Sequence, residues 1–158
     1  MTNTPISGEL DLALRVFVAL VVGLALGLER EIRGYPAGLR TMGLVTAGAC
    51  LFTGMGLIPF AKTADPTRIA AGIVTGIGFL GAGAILRQGE DVKGLTTAAS
   101  IWTAAAIGMA IGFGLYVTGV VATVLVLVTL VGLRFIEVRF FPARHNRRRD
   151  DPKPEAAP

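Results

Sequence analysis

Between Leu95 and Leu133 the chain runs for 39 residues without one charged side chain. A helix at a water-facing surface keeps charged residues on its outer face, and this stretch has none. As a single helix it would extend about 58 Å at 1.5 Å per residue, nearly twice the roughly 30 Å of bilayer hydrocarbon. It therefore reads as two membrane spans, 95–112 and 115–133, folded back at Gly112, Phe113 and Gly114. Three more apolar runs precede it: 12–28, broken only by Arg15, then 41–61 and 69–86. Hydrophobic residues make up 53% of the chain and charged residues 16%, below the roughly one quarter charged that a soluble domain carries. A transmembrane β-barrel would show alternation over about ten residues, and these runs are continuously apolar. The expected fold is an all-α integral membrane protein, a compact bundle of about five transmembrane helices.

The charges sit at the edges of the spans. With the N-terminus outside, 12 of the 15 basic residues fall inside, leaving Arg15, Lys62 and Arg68 on the outer side. The positive-inside bias supports that orientation. It gives a short external N-terminus over 1–10, a transmembrane domain over 11–141 and a disordered, basic, cytoplasmic tail over 142–158. The acidic residues Glu9 and Asp11 before the first run argue against a cleavable signal peptide. The tail reads as a topology anchor near anionic lipid rather than a nucleic-acid site, because no aromatics interleave with its arginines beyond Phe141.

Small residues four apart mark faces where helices approach closely. Within the spans, three glycine pairs have that spacing: Gly23 with Gly27, Gly72 with Gly76, and Gly108 with Gly112. Each fits packing within the bundle or an interface with a partner. Gly72, Gly76, Gly78, Gly81 and Gly83 together weaken the third span as a helix, which allows a kink or simple tight packing. The dinucleotide-like spacing of Gly76, Gly78 and Gly81 is rejected, since that fingerprint must follow a strand and open a helix.

Asp65-Pro66 is a helix start, an acceptor followed by a residue suited to the first position. Its alternative role is a cation-attracting mouth with Arg68. Glu29 and Arg33 can pair at i and i+4, while Glu29, Arg30 and Arg40 abut apolar runs and could join in one inter-helix network. Thr96, Ser100 and Thr103 share a face of the fourth span, as helix glue, as donors to their own carbonyls or as the lining of a hydrated path. No Asp, Glu, Lys, Arg or His lies within the second to fifth spans, where such groups would mark an ion pathway. There is no nucleophile–base pair, no metal-ligand set and no cofactor motif; Cys50 and His145 are single copies. The expectation is a non-enzyme without metal or cofactor.

Taken in order, Gly27-Leu28-Glu29-Arg30, Gly38-Leu39-Arg40-Thr41, the stretch from Ala64 through Asp65, Arg68 and Ala71, Gly76-Ile77-Gly78-Phe79-Leu80-Gly81-Ala82-Gly83, and Val92-Lys93-Gly94-Leu95-Thr96-Thr97 with Trp102 and Gly108 resemble the MgtC/SapB family of bacterial membrane proteins. The likeness covers about residues 10 to 135. It implies a multi-pass protein of the bacterial inner membrane, associated with adaptation to low Mg²⁺ and, in pathogens, with survival inside host cells. It carries Glu29, Arg30, Arg40, Thr41, Asp65, Arg68, Thr96, Thr97 and the third-span glycines over as motif positions. Longer members append a soluble domain after the last span, and this chain reads as a short member without it.

Two functions follow as expectations. The first is an accessory or regulatory module in magnesium and ion homeostasis, which contacts a membrane partner or a second copy of itself through glycine-lined helices in the bilayer. The second is a passive channel or carrier for Mg²⁺ or another small ion, working as an oligomer. There Asp65 and Arg68 would set the outer mouth, Thr96, Ser100 and Thr103 the path, and Glu29 with Arg40 the inner gate.

Overall fold

The computed structural model describes residues 6–57, 65–88 and 91–140, so the expected tail 142–158 lies outside the described residues. Five helices form: α1 (Ile6–Ile32), α2 (Leu39–Met55), α3 (Pro66–Gly83), α4 (Leu95–Gly112) and α5 (Tyr116–Phe140). Between α3 and α4 lie two short antiparallel strands, β1 (Leu86–Gln88) and β2 (Asp91–Lys93), in the register Leu86 opposite Lys93. Three helices, α1, α4 and α5, are long and apolar enough to cross a membrane. α2 and the Thr67–Gly83 part of α3 are apolar but shorter.

The boundaries depart from the apolar runs where local chemistry overrides hydropathy. α1 extends past 12–28 at both ends; at its C-terminal end Glu29, Arg30 and Glu31 are good helix residues. It stops at a Schellman motif: Gly34 takes φ +71°, its N–H donates to the Glu31 carbonyl, and the Tyr35 N–H donates to the Arg30 carbonyl. A left-handed residue at that position is what glycine supplies at least cost. α4 ends the same way at Gly114 (φ +81°), with Leu115 N–H donating to Ala110, which is the expected fold-back. α2 ends at Met55, short of the expected 61. α3 begins at Pro66 and closes at Gly83, where the Ala84 N–H folds back on Leu80 and Gly81. Ile85 and Leu86, assigned by their hydropathy to the span, lead into the hairpin instead.

α2 is the centre of the packing, held between α1 and α4. Two of the three glycine pairs explain why. A Cβ on Gly23 would lie 2.7 Å from the Met42 carbonyl oxygen, and one on Gly27 would lie 2.6 Å from Leu39 Cα. On the other side, a Cβ on Gly108 would strike the Thr46 carbonyl, and one on Gly112 would sit 2.8 Å from the Cys50 carbonyl oxygen. Backbone thus meets backbone on both faces of α2, around a core of Ala19, Met42, Cys50, Ala104 and Ile111. α3 leans mainly on α4 and barely touches α2, and α5 also rests on α4. The outward surfaces of α3 and α5 are apolar, with Phe79 82% and Val117 79% exposed, as a lipid-facing surface requires.

Candidate functional site

The densest polar cluster forms where the last turn of α1 meets the first turn of α4. Arg30 is 1% exposed, the largest fully buried side chain among the described residues. One of its terminal nitrogens donates to Thr97 Oγ1 at 2.8 Å, and its guanidinium lies 3.7 Å from the centroid of the Tyr35 ring. That ring arrives through the Schellman turn, which sets the residue after Gly34 over the last turn of α1. Its Nε is buried without a hydrogen-bond partner. The neighbouring Glu29 accepts from Arg33 Nε at 2.5 Å, the expected i, i+4 pair, while its Oε2 is buried and unpaired.

The predicted network of Glu29, Arg30 and Arg40 does not form. Arg40 is exposed on the first turn of α2, and the spacing argument failed because Arg30 turns towards α4 instead. The carboxylate that serves α2 is Glu31, whose Oε2 accepts from the Leu39 N–H at 3.1 Å. Nothing in the sequence signals a cap eight residues away; it depends on the tight turn and on Gly38, where any Cβ would collide with that carboxylate. Arg15 was likewise read only as a charge near the outer end. It donates to the Gly112 carbonyl at 2.8 Å and pairs with Asp11 at 2.6 Å, placing a cation on the negative end of α4. A lone charge inside an apolar run was the available signal.

Asp65 caps α3 as its sequence implied. Its Oδ1 accepts from Thr67 Oγ1 at 2.7 Å and from the Thr67 N–H at 2.9 Å. Those bonds, the hydroxyl's first, hold its carboxyl below the usual carboxylate range. Arg68 donates its backbone N–H to the Asp65 carbonyl, while its exposed side chain forms no ion pair with the Asp65 carboxylate. The hydroxyls of α4 divide. Ser100 donates to the Thr96 carbonyl and Thr103 to the Ala99 carbonyl, the back-bonding option. Thr96 is exposed. Thr97 differs: it accepts from Arg30, and its own proton has no acceptor among the described residues. Thr97 and Thr41 open on a recess of about 440 Å³ beside the ends of α2, α3 and α4. No three His, Cys, Asp or Glu side chains gather among the described residues.

The third glycine pair behaves unlike the other two. A Cβ built on Gly72, Gly76, Gly78 or Gly83 would meet nothing within 4 Å, and only Gly81 packs, 3.6 Å from Ala98 Cβ. The expected tight packing of these glycines is therefore absent within one chain, and the expected weakening does not break the helix, which is continuous from Pro66 to Gly83. Gly72 and Gly76 instead floor an apolar groove of about 620 Å³ between α2 and α3, walled by Leu44, Phe52, Ile69 and Ile77.

Residues 16–139 match the model of the MgtC family. Among curated proteins, the chain is 44% identical over 127 residues to the Escherichia coli K12 protein named "Putative magnesium transporter YhiD", covering 76% of this chain and 59% of that one. It is 48% identical to the Synechocystis protein slr0014 over 77% of this chain and 51% of that one. Protein MgtC of Salmonella typhimurium LT2 is 44% identical, over 77% of this chain and 52% of its own length. The chain spans only a little over half the length of these relatives. No solved structure matches.

Proposed function

The chain belongs to the MgtC family, and from that premise we propose that it is an accessory or regulatory module of the bacterial inner membrane in adaptation to low Mg²⁺. It acts by helix-to-helix contact, with a membrane partner or a second copy, through the open glycine face of α3. The magnesium connection rests on the family and on the name of the YhiD relative. The mode of action rests on one observation. Of three glycine pairs with the same spacing, two are filled by α2 of the same chain, and the third is left empty over an apolar groove. Lipid tails offer no hydrophobic drive for association, so close backbone approach at small residues is what joins helices in a bilayer. The orientation proposed is N-terminus outside and C-terminus cytoplasmic, with the Arg30 cluster at the inner face.

The test substitutes Gly72→Leu and Gly76→Leu singly and together. A Cβ at either site meets nothing within 4 Å and the rest of the side chain enters the groove of about 620 Å³, so the fold is expected to be retained while cross-linked dimer or co-purified partner falls to background. Unchanged association in the double variant overturns the contact surface. Proteoliposomes of the chain alone that carry Mg²⁺ down a gradient would replace this reading with the channel or carrier.

A further inference from the structure

The recess of about 440 Å³ at the level of Arg30 has a chemistry that the α3 contact surface does not use. Its polar wall consists of two threonines on the first turns of two helices. Thr41 stands on α2 and Thr97 on α4. Thr41 has no hydrogen bond among the described residues. Thr97 is 4% exposed, yet its hydroxyl proton has no acceptor there. Behind Thr97 stands the buried guanidinium of Arg30, bonded to the same oxygen, which polarises that hydroxyl towards donating.

Glu29 beside Arg30 keeps a buried, unpaired carboxylate oxygen, but it does not line the recess. α4 starts at Gly94 without a side-chain cap, so its first N–H groups lack intrahelical acceptors and carry the positive end of the helix dipole. The last turn of α3 also borders the recess, but the carbonyls of Leu80, Gly81 and Ala82 are taken by the N–H groups of Ala84 and Ile85. No Asp or Glu lines it. The remaining wall, with Phe79, Leu80 and Ile101, is apolar. Two unfilled donors backed by a buried cation, beside an apolar wall, suit an amphipathic anion.

We propose that this recess binds the phosphate headgroup of an anionic phospholipid, with Thr41 and Thr97 donating to the phosphate and the lipid's apolar part lying along Phe79 and Ile101. A lipid is favoured over free phosphate because most of the lining is hydrocarbon, which a bare ion would leave unsolvated.

The experiment is native mass spectrometry of the full chain released from nanodiscs of mixed phosphatidylglycerol and phosphatidylcholine. Wild type retains one phosphatidylglycerol in preference to phosphatidylcholine. Thr41→Val removes a hydroxyl that holds nothing among the described residues and lowers the retained phosphatidylglycerol by about fivefold, the scale of one lost hydrogen bond. Thr97→Val lowers it at least as far, and because it also strips Arg30 of its acceptor, the Thr41 variant decides the matter if the Thr97 variant does not fold. Equal retention of the two lipids by wild type overturns the proposal. So does undiminished retention of phosphatidylglycerol in Thr41→Val, which would place the lipid on exposed cations such as Arg40. Displacement of phosphatidylglycerol by millimolar inorganic phosphate overturns it in favour of a soluble anion. Loss of association in the Gly72→Leu and Gly76→Leu variants leaves this readout unchanged, so the two ideas fail separately.

Discussion

Arg30 shows how one residue can be ordinary in sequence and exceptional in place. Its position in the last turn of α1 suits a cation at a helix C-terminus, but burial is costly unless each donor finds an acceptor. Thr97 supplies one acceptor, the Tyr35 ring covers one face, and Nε is left over. Thr97→Val should therefore lower stability by about 1–3 kcal/mol, the cost of leaving a buried donor unmet. Adding Arg30→Met should recover part of that loss, since an apolar side chain of similar length needs no partner. Chemical unfolding in micelles would measure both, and a double variant weaker than the sum of the two singles would contradict the pairing. Asp65 is the other residue with a stated electrostatic consequence. Its carboxyl titrates below the usual range because the charged form accepts two bonds from Thr67. The cap is therefore complete above the unfolded-state pKa and is lost as pH falls through the lower folded-state value. Amide exchange at Arg68 and Ile69, corrected for its intrinsic pH dependence, should show protection falling on acidification, and Asp65→Asn should flatten that dependence.

At the scale of helices, the three glycine pairs look alike in sequence and separate in space. Gly108→Ala would push a methyl into the Thr46 carbonyl, and overpacking of this kind costs about 1–3 kcal/mol. Gly76→Ala has open space and should stabilise the isolated chain by up to about 1 kcal/mol, from helix propensity alone. Opposite signs from the same substitution, measured by unfolding of the monomer, would confirm that α2 fills one groove and nothing fills the other. A loss of stability at Gly76 would mean that α3 lies closer to α2 than described. The contrast also marks what a sequence can convey. Asp65-Pro66 and the pair Glu29–Arg33 were legible because their partners lie within one helical turn. The fold-back at Gly112 to Gly114 was legible because a charge-free run exceeded the bilayer. Glu31 on Leu39, Arg15 on Gly112 and Arg30 on Thr97 were not, since each joins two elements whose packing no local pattern encodes. The glycine spacing announced close approach, but which helix comes close is decided by the whole arrangement.

For the whole molecule, the open question of physics is whether α2 and α3 cross the bilayer with α1, α4 and α5. Each is an apolar helix of 17 residues, Leu39–Met55 and Thr67–Gly83, roughly 25 Å at 1.5 Å per residue, at the short end of what spans hydrocarbon. Packing supplies the missing argument. Along α1, α2 runs from Leu39 beside Gly27 to Gly54 beside Leu12, so it covers most of the depth that α1 covers. α3 starts with Ile69 beside Gly56 and ends with Gly81 beside Ala98, returning from the far end of α2 to the first turn of α4. If α1 and α4 cross, a helix held between them over its full length does not lie on the membrane surface, and a neighbour that connects the same two levels is expected to cross as well. Five crossings put Thr67 on the same side as Ser7 and Gly114; three crossings, by α1, α4 and α5 alone, put Thr67 with Gly34. Single cysteines at Ser7, Gly34, Thr67 and Gly114 in a Cys50→Ser background, probed with a membrane-impermeant maleimide on intact spheroplasts, separate the two. The expected outcome is labelling at positions 7, 67 and 114 and protection at 34 until the membrane is broken. Labelling at 7 and 114 with protection at 67 would return α2 and α3 to the inner face, and would remove the bilayer setting that the open Gly72–Gly76 groove needs.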